Sequence, residues 1–183
     1  RAGAILEGFN SGMEGGRAVA EAVFGQLSPS GKLTISFPLH VGQQPTFYNQ
    51  VRGQHGTRYA DLTQEPLFPF GHGLSYTTYR YSNARLASPK LARGQAATVS
   101  VDVENAGSRA GDEIVQVYVS DVVTSVTWVG KSLQGFSRVP LAPGERKTVT
   151  GAEATRDFLG VAHLAPFEAR GQVFVLAEAH TLS

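Results

Sequence analysis

Between Pro69 and Thr77 the sequence reads PFGHGLSYT, and no other stretch limits the fold so tightly. Phe68, Phe70, Leu74 and Tyr76 are interleaved with Gly71 and Gly73, which permit backbone conformations closed to other residues. The chain follows different rules on either side. Before this turn it shows helical spacing and then a long irregular stretch; after it, apolar residues recur at every second position. The segment reads as a packed joint between two kinds of structure.

Downstream, Thr98–Val103 places Val99, Val101 and Val103 on one face, and Asn105-Ala106-Gly107 turns the chain. Glu113–Val119 puts Val115, Val117 and Val119 on one side, with Ile114, Gln116 and Tyr118 on the other. Ala142-Pro143-Gly144-Glu145 forms the next turn, before Lys147–Thr150, and Gln172–Ala177 has a strand pattern with Val173 and Val175. Short strands and turn signals at this spacing predict an antiparallel β-sandwich over residues 80–183.

Upstream, Ala2–Phe9 is expected to be a buried strand, followed by a glycine-rich turn over Asn10–Gly16. Arg17–Phe24 sets Ala18, Val19, Ala22 and Val23 at helical spacing, and Gly25 is placed to end that helix. Lys32–Phe37 alternates Leu33, Ile35 and Phe37, which predicts a second strand. Strand, helix, strand is the tail of an α/β sheet. Residues 1–38 cannot cover both faces of such a sheet, so the remainder must come from elsewhere. Between the two regions, Pro38–Pro69 is rich in Gln and Pro and has no sustained period. Irregular segments of this length are either functional or disordered. Phe47, Tyr48, Tyr59, Leu62, Leu67 and Phe68 favour an ordered path pinned to a surface. The expected division is therefore 1–38, an ordered linker over 39–79, and 80–183.

Composition excludes several classes. A net charge of +1 without a Lys or Arg run argues against a nucleic-acid partner. There is no cysteine, so disulfide frameworks and thiolate metal sites are ruled out. No apolar run approaches the ~20 residues of a membrane-spanning helix. Neither an exported nor a cytoplasmic location is selected. The chain begins in mid-pattern, without a signal peptide, and reads as a piece of something longer.

Several motifs stand in one order: EGGRAVAEAVFG (Glu14–Gly25), SPSGKLTISFP (Ser28–Pro38), PFGHGLSYT, VENAGSRAGDEIVQVYVSD (Val103–Asp121), LQGFSRV (Leu133–Val139) and LAPGE (Leu141–Glu145). Together they resemble the C-terminal end of glycoside hydrolase family 3, the β-glucosidase family, from about Ile5 to Val149. The resemblance implies the end of an α/β sandwich domain followed by a fibronectin type III-like domain. It implies a retaining enzyme that removes non-reducing terminal β-D-glucosyl residues by double displacement, without metal or cofactor. β-Xylosides and N-acetylglucosaminides are alternative substrates on the same architecture. The implied partners are an N-terminal barrel and the rest of the α/β domain, in the same or a separate chain, with a β-glucoside as substrate; a homo-oligomer is compatible with this. After Val149 the family pattern is followed less closely. A stand-alone sandwich that binds polysaccharide or protein is the competing reading, but it would start near residue 80 and would not need the EGG and PSG motifs.

Glycoside hydrolysis requires two carboxyl groups across the scissile bond. The resemblance places both upstream of the EGG motif, so none of the fifteen acidic residues here inherits a catalytic role. Glu14 stands at a strand-to-helix turn, where its carboxylate would complement the helix dipole. The segment Asn49–Asp61, NQVRGQHGTRYAD, holds the candidates for contact with sugar: His55, Arg58, Tyr59 and Asp61 supply donors, acceptors and a stacking ring. His72, between two glycines, fits a packing or turn role. Trp128 reads as a core plug rather than a sugar platform. His40, His163 and His180 are too scattered for a metal site.

Overall fold

Period-two alternation becomes strand pairing once the joint is passed. The computed structural model describes residues 2–50, 60–88, 96–121, 129–151 and 171–174. After Tyr79 the described elements are β1 (Tyr79–Leu86), β2 (Val99–Asn105), β3 (Gly111–Asp121), β4 (Ser132–Leu141), β5 (Arg146–Thr150) and β6 (Gly171–Phe174). They form two antiparallel three-stranded sheets, β1-β2-β5 and β4-β3-β6. Val101, Val103, Val115, Val139 and Leu141 meet between the sheets, and Tyr79, Tyr81 and Val149 pack against them. This is the sandwich the alternation predicts. The reason is visible in β2, where Val99, Val101, Val103 and Asn105 are buried and the residues between them are half-buried. On the outer side of that strand, Asp102 accepts from Asn83 and Thr148, and these bonds hold its carboxyl below the usual range.

β3 is covered on both faces. Glu113 and Val115 point into the sandwich, whereas Tyr118 packs against Tyr48 of the connector that precedes the joint, and the buried Ser120 hydroxyl donates to the carbonyl of Gly130. Opposite it, Gln134 is an extra residue in β4, where the register shifts between Val117 and Tyr118.

Before the joint, α1 runs from Gly15 to Val23. It closes in a Schellman motif: Gly25, at φ 71°, donates to the carbonyl of Ala22, and Gln26 donates to Glu21. Gly25 therefore ends the helix where the spacing predicts. The two strands expected around it do not form. Ala2–Phe9 has no ladder partner among the described residues, and Lys32–Phe37 makes only an isolated bridge from Phe37 to Phe68. A strand needs a neighbour to take its N–H and C=O groups, and alternation of Leu33, Ile35 and Phe37 cannot supply one. The unpaired region also leaves apolar side chains in water: Ile5, Phe9, Val19, Val23, Phe24 and Ile35 are all exposed, Phe24 by 80%.

Val19, Val23 and Phe24 stand exposed within two turns of α1 and its cap, and clustered exposed apolar side chains mark an interaction surface. Residues 1–183 taken alone are therefore expected to self-associate at micromolar concentration. Replacing Val19, Val23 and Phe24 by Ser should shift the population toward monomer in size-exclusion chromatography with light scattering. A monodisperse wild-type monomer would contradict this.

Candidate functional site

The connector between α1 and the sandwich is fixed by buried polar groups. His40 begins a single 3-10 turn over Val41–Gln43, its ring nitrogen accepting from the Gly42 amide. Gln43 is 3% exposed and fully engaged. Its carbonyl oxygen accepts from the amides of Leu39 and His40, and its amide nitrogen donates to the carbonyls of Thr63 and Glu65. One side chain thus pins both ends of the excursion. Nothing in the pattern around Gln43 distinguishes it from its neighbour Gln44, so sequence reasoning misses it.

Further along, the Tyr48 ring stacks on Phe70 with centroids 4.1 Å apart and meets Tyr118 edge-on at 6.3 Å. Gly130 donates to the carbonyl of Gln50 at 2.7 Å. These contacts lay the connector against the β4-β3-β6 sheet. They leave a cleft of about 390 Å³ between the two, with Phe47, Tyr48, Gln50, Glu65, Tyr118 and Lys131 on its walls.

The joint itself is a clasp. Leu33 donates to the carbonyl of His72, and Gly71 donates to the carbonyl of Leu33. Gln116 on β3 donates to the carbonyl of Gly71. Gly71 has φ 82°, and a Cβ there would collide with the Gln116 side chain. Only glycine fits. At Gly73 a Cβ would meet the carbonyl of Gly31. His72 stacks on Phe68 at 5.2 Å, in keeping with a packing role. Beside it, Lys32 donates to the carbonyl of Gly73 at 2.8 Å and lies 3.5 Å from the buried carboxylate of Glu113, which also accepts from the Tyr81 hydroxyl at 2.7 Å. Burial first, and the Glu113 charge second, push the Tyr81 phenol far above its ordinary range. Arg109 reaches over the Tyr76 ring to the carbonyl of Gly25, and the Tyr76 hydroxyl donates to the carbonyl of Ala22. α1, the joint and the sandwich are thereby held together.

Of the four sugar-contact candidates, Asp61 lies on the exposed surface, and His55, Arg58 and Tyr59 fall outside the described residues. Trp128, His163 and His180 also fall outside them. Glu14 is the N-cap residue of α1; its side chain makes no cap hydrogen bond. Among the described residues no group of His, Asp and Glu could hold a metal ion, and no helix is long and apolar enough to cross a membrane. Of the cleft residues, Phe47 is expected from sequence only as an anchor of the connector, Gln50 lies in the Asn49–Asp61 segment without being one of its candidates, and Glu65 and Lys131 are not singled out. The signal available was the density of Gln and aromatic residues between Gln43 and Gln50.

The joint and the segments it clasps have known counterparts. Residues 1–76 match the glycosyl hydrolase family 3 C-terminal domain, and residues 113–159 match a fibronectin type III-like domain. The chain belongs to glycoside hydrolase family 3. Within family 3 it is similar to the periplasmic beta-glucosidase of Salmonella typhimurium, 44% identical over 160 residues, a match that covers 82% of this chain and 21% of that protein. It is also similar to a beta-xylosidase of Formosa agariphila, 48% identical over 153 residues, covering 80% of this chain and 21% of that one. Among solved structures, a beta-glucosidase involved in saponin metabolism from intestinal bacteria superposes with a TM-score of 0.71 at 50% identity, over 75% of this chain and 19% of that one. The beta-glucosidase from Listeria innocua in complex with glucose gives 0.70 at 37% identity, over 74% and 20%. The chain thus spans about a fifth of the length of these relatives. It corresponds to the C-terminal region of family 3 proteins, α1 and the joint in the first match and β3 to β5 in the second.

Proposed function

We propose that this chain serves in a retaining β-glucosidase that removes non-reducing terminal β-D-glucosyl residues by double displacement. The observation that carries the reading is the similarity to the beta-glucosidase of intestinal bacteria, 50% identical and running over 75% of the chain. A free-standing sandwich module would not need residues 1–76, yet these carry a family 3 match of their own. In this reading the catalytic carboxylates lie on other parts of the polypeptide, and the partners of the exposed α1 face are the remainder of the α/β domain and the barrel. Residues 1–38 end the α/β domain, 39–79 form the ordered linker, and 80–183 form the sandwich that braces them. No metal or cofactor takes part.

The complete polypeptide is expected to hydrolyse a chromogenic aryl β-glucoside and to release β-glucose first, as proton NMR would record. Residues 1–183 by themselves should give no turnover above a heat-killed control. Release of α-glucose first would overturn the retaining mechanism, and turnover by residues 1–183 would mean that the catalytic pair lies within them.

His55, Arg58, Tyr59 and Asp61 are proposed to face the leaving-group side of the substrate. A lost charged hydrogen bond costs about 1.5–3 kcal/mol. Arg58→Ala in the complete enzyme should then lower kcat/KM on a β-linked disaccharide about tenfold or more, and on a small aryl glucoside much less. Equal losses on both would indicate a structural brace, and no loss on either would remove Arg58 from the site.

A β-xylosidase is the second reading, favoured by the 48% identity to the Formosa agariphila relative. The ratio of kcat/KM on aryl β-xyloside and aryl β-glucoside separates the two.

A further inference from the structure

We propose that the cleft between the connector and the β4-β3-β6 sheet binds a neutral β-linked glucan segment. The ligand class rests on the glycosidase reading; the existence of the site rests on the cleft. Its volume of about 390 Å³ falls within the range of roughly 300–1,000 Å³ usual for small-ligand sites. Its floor is rigid. The Tyr48 ring is held between Phe70 and Tyr118, the Tyr48 hydroxyl accepts from the Leu133 amide, and the Tyr118 hydroxyl is engaged with Gln116. A ligand therefore meets walls that need no reordering, which favours binding.

The rim is built differently. Phe47 is 62% exposed at the cleft. An aromatic face left in water beside polar groups matches a pyranose, which carries axial C–H groups on one face and hydroxyls around its edge. The hydroxyls have partners waiting. Among the described residues, the side chains of Gln50 and Glu65 make no hydrogen bond, and the Lys131 ammonium is engaged only with the Tyr118 ring, 5.1 Å from its centroid. An amide, a carboxylate and an ammonium together both donate and accept, as hydroxyls require. Glu65 and Lys131 also cancel in charge, so the cleft carries no net charge that would select a phosphate or a uronate. The structure points to an uncharged polyhydroxylated ligand.

The test is affinity electrophoresis of the complete polypeptide in native gels containing a soluble mixed-linkage β-glucan, with bands then stained for hydrolysis of a fluorogenic aryl β-glucoside. The wild type is expected to be retarded. Phe47→Ala and Gln50→Ala should each raise the dissociation constant read from retardation, Phe47→Ala by about tenfold because most of one ring's burial is lost. Phe136→Ala, which removes another exposed ring outside the cleft, should migrate as wild type. All variants should keep aryl-glucosidase activity, which also shows that they are folded. An active wild type that is not retarded, or Phe47→Ala and Gln50→Ala variants retarded as strongly as wild type, overturns the cleft and leaves the glycosidase reading standing. A band retarded in the Phe47-dependent way but unable to hydrolyse the aryl glucoside supports the cleft and removes the glycosidase reading.

Discussion

Asn105→Asp is expected to cause the largest loss of stability of any single-atom exchange in the sandwich. Asn105 is completely buried at the end of β2, and all four of its side-chain hydrogen-bonding positions are filled. Its oxygen accepts from the Thr77 hydroxyl at 2.6 Å and the Gly107 amide at 3.1 Å, while its nitrogen donates to the carbonyls of Arg109 at 2.7 Å and Leu141 at 3.1 Å. Aspartate keeps the first pair and destroys the second, turning two donations into two repulsions. Loss of the donor to the buried Leu141 carbonyl costs roughly 1–3 kcal/mol, the part-buried Arg109 carbonyl adds less, and a buried charge adds to both. The effect is pH-dependent. The variant's carboxyl is favoured in its protonated form, whose O–H donates one of the lost bonds. Its pKa in the folded state therefore rises above the unfolded value, and stability falls as pH climbs past the ordinary carboxylate range. Hydrogen exchange of β2 and β3 amides in the complete polypeptide, read by mass spectrometry at two pH values, should show about 4 kcal/mol less protection at neutral pH and a smaller deficit in acid. A deficit below about 1 kcal/mol at neutral pH would mean that the bonds around Asn105 are not what holds this corner.

Lys32→Met is expected to loosen the joint almost as severely. Glu113 has 9% of its side chain exposed and Lys32 17%, so the substitution strands a carboxylate in a site closed to water. Removing one partner of a buried ion pair costs about 3–5 kcal/mol, whereas replacing both with neutral groups costs far less. In the double variant Lys32→Met, Glu113→Gln, the amide oxygen still accepts from Tyr81. The double loss should then be smaller than that of Lys32→Met alone, with a coupling of about 2 kcal/mol or more. The readout is exchange at the Leu33 and Gly71 amides, whose bonds cross the joint. If the single losses simply add, the pair is a surface contact and the joint is held by the backbone bonds alone.

These two residues show what the sequence could and could not disclose. Strand positions were legible where alternation coincided with burial, as in Val99, Val101 and Val103, because a side chain's face follows from its place in the strand. The helix end at Gly25 was legible because the cap is local. Asn105 was recognised only as a turn residue, since its four partners include Thr77 and Leu141, far away in sequence. Tyr118 was correctly set on the face opposite Val115, but the ring that covers it, Tyr48, is not deducible from strand period. Ala2–Phe9 and Lys32–Phe37 carry strand pattern without strand partners, and pattern alone cannot distinguish the two cases. The sugar-contact candidates rested on side-chain chemistry; of them only Asp61 has a described position, and that is on the surface.

The clasp has a consequence for exchanging parts between proteins. Although the sandwich begins at Tyr79, its side chains Arg109 and Gln116 are bonded to Gly25 and Gly71 on the other side of that boundary. A crossover at residue 79 that grafted a foreign sandwich here would preserve every strand and still sever these bonds. Such a hybrid would keep its function only if the incoming domain brought an arginine and a glutamine at the same two places. The seam that recombination must respect is a set of side chains, and no point on the linker marks it.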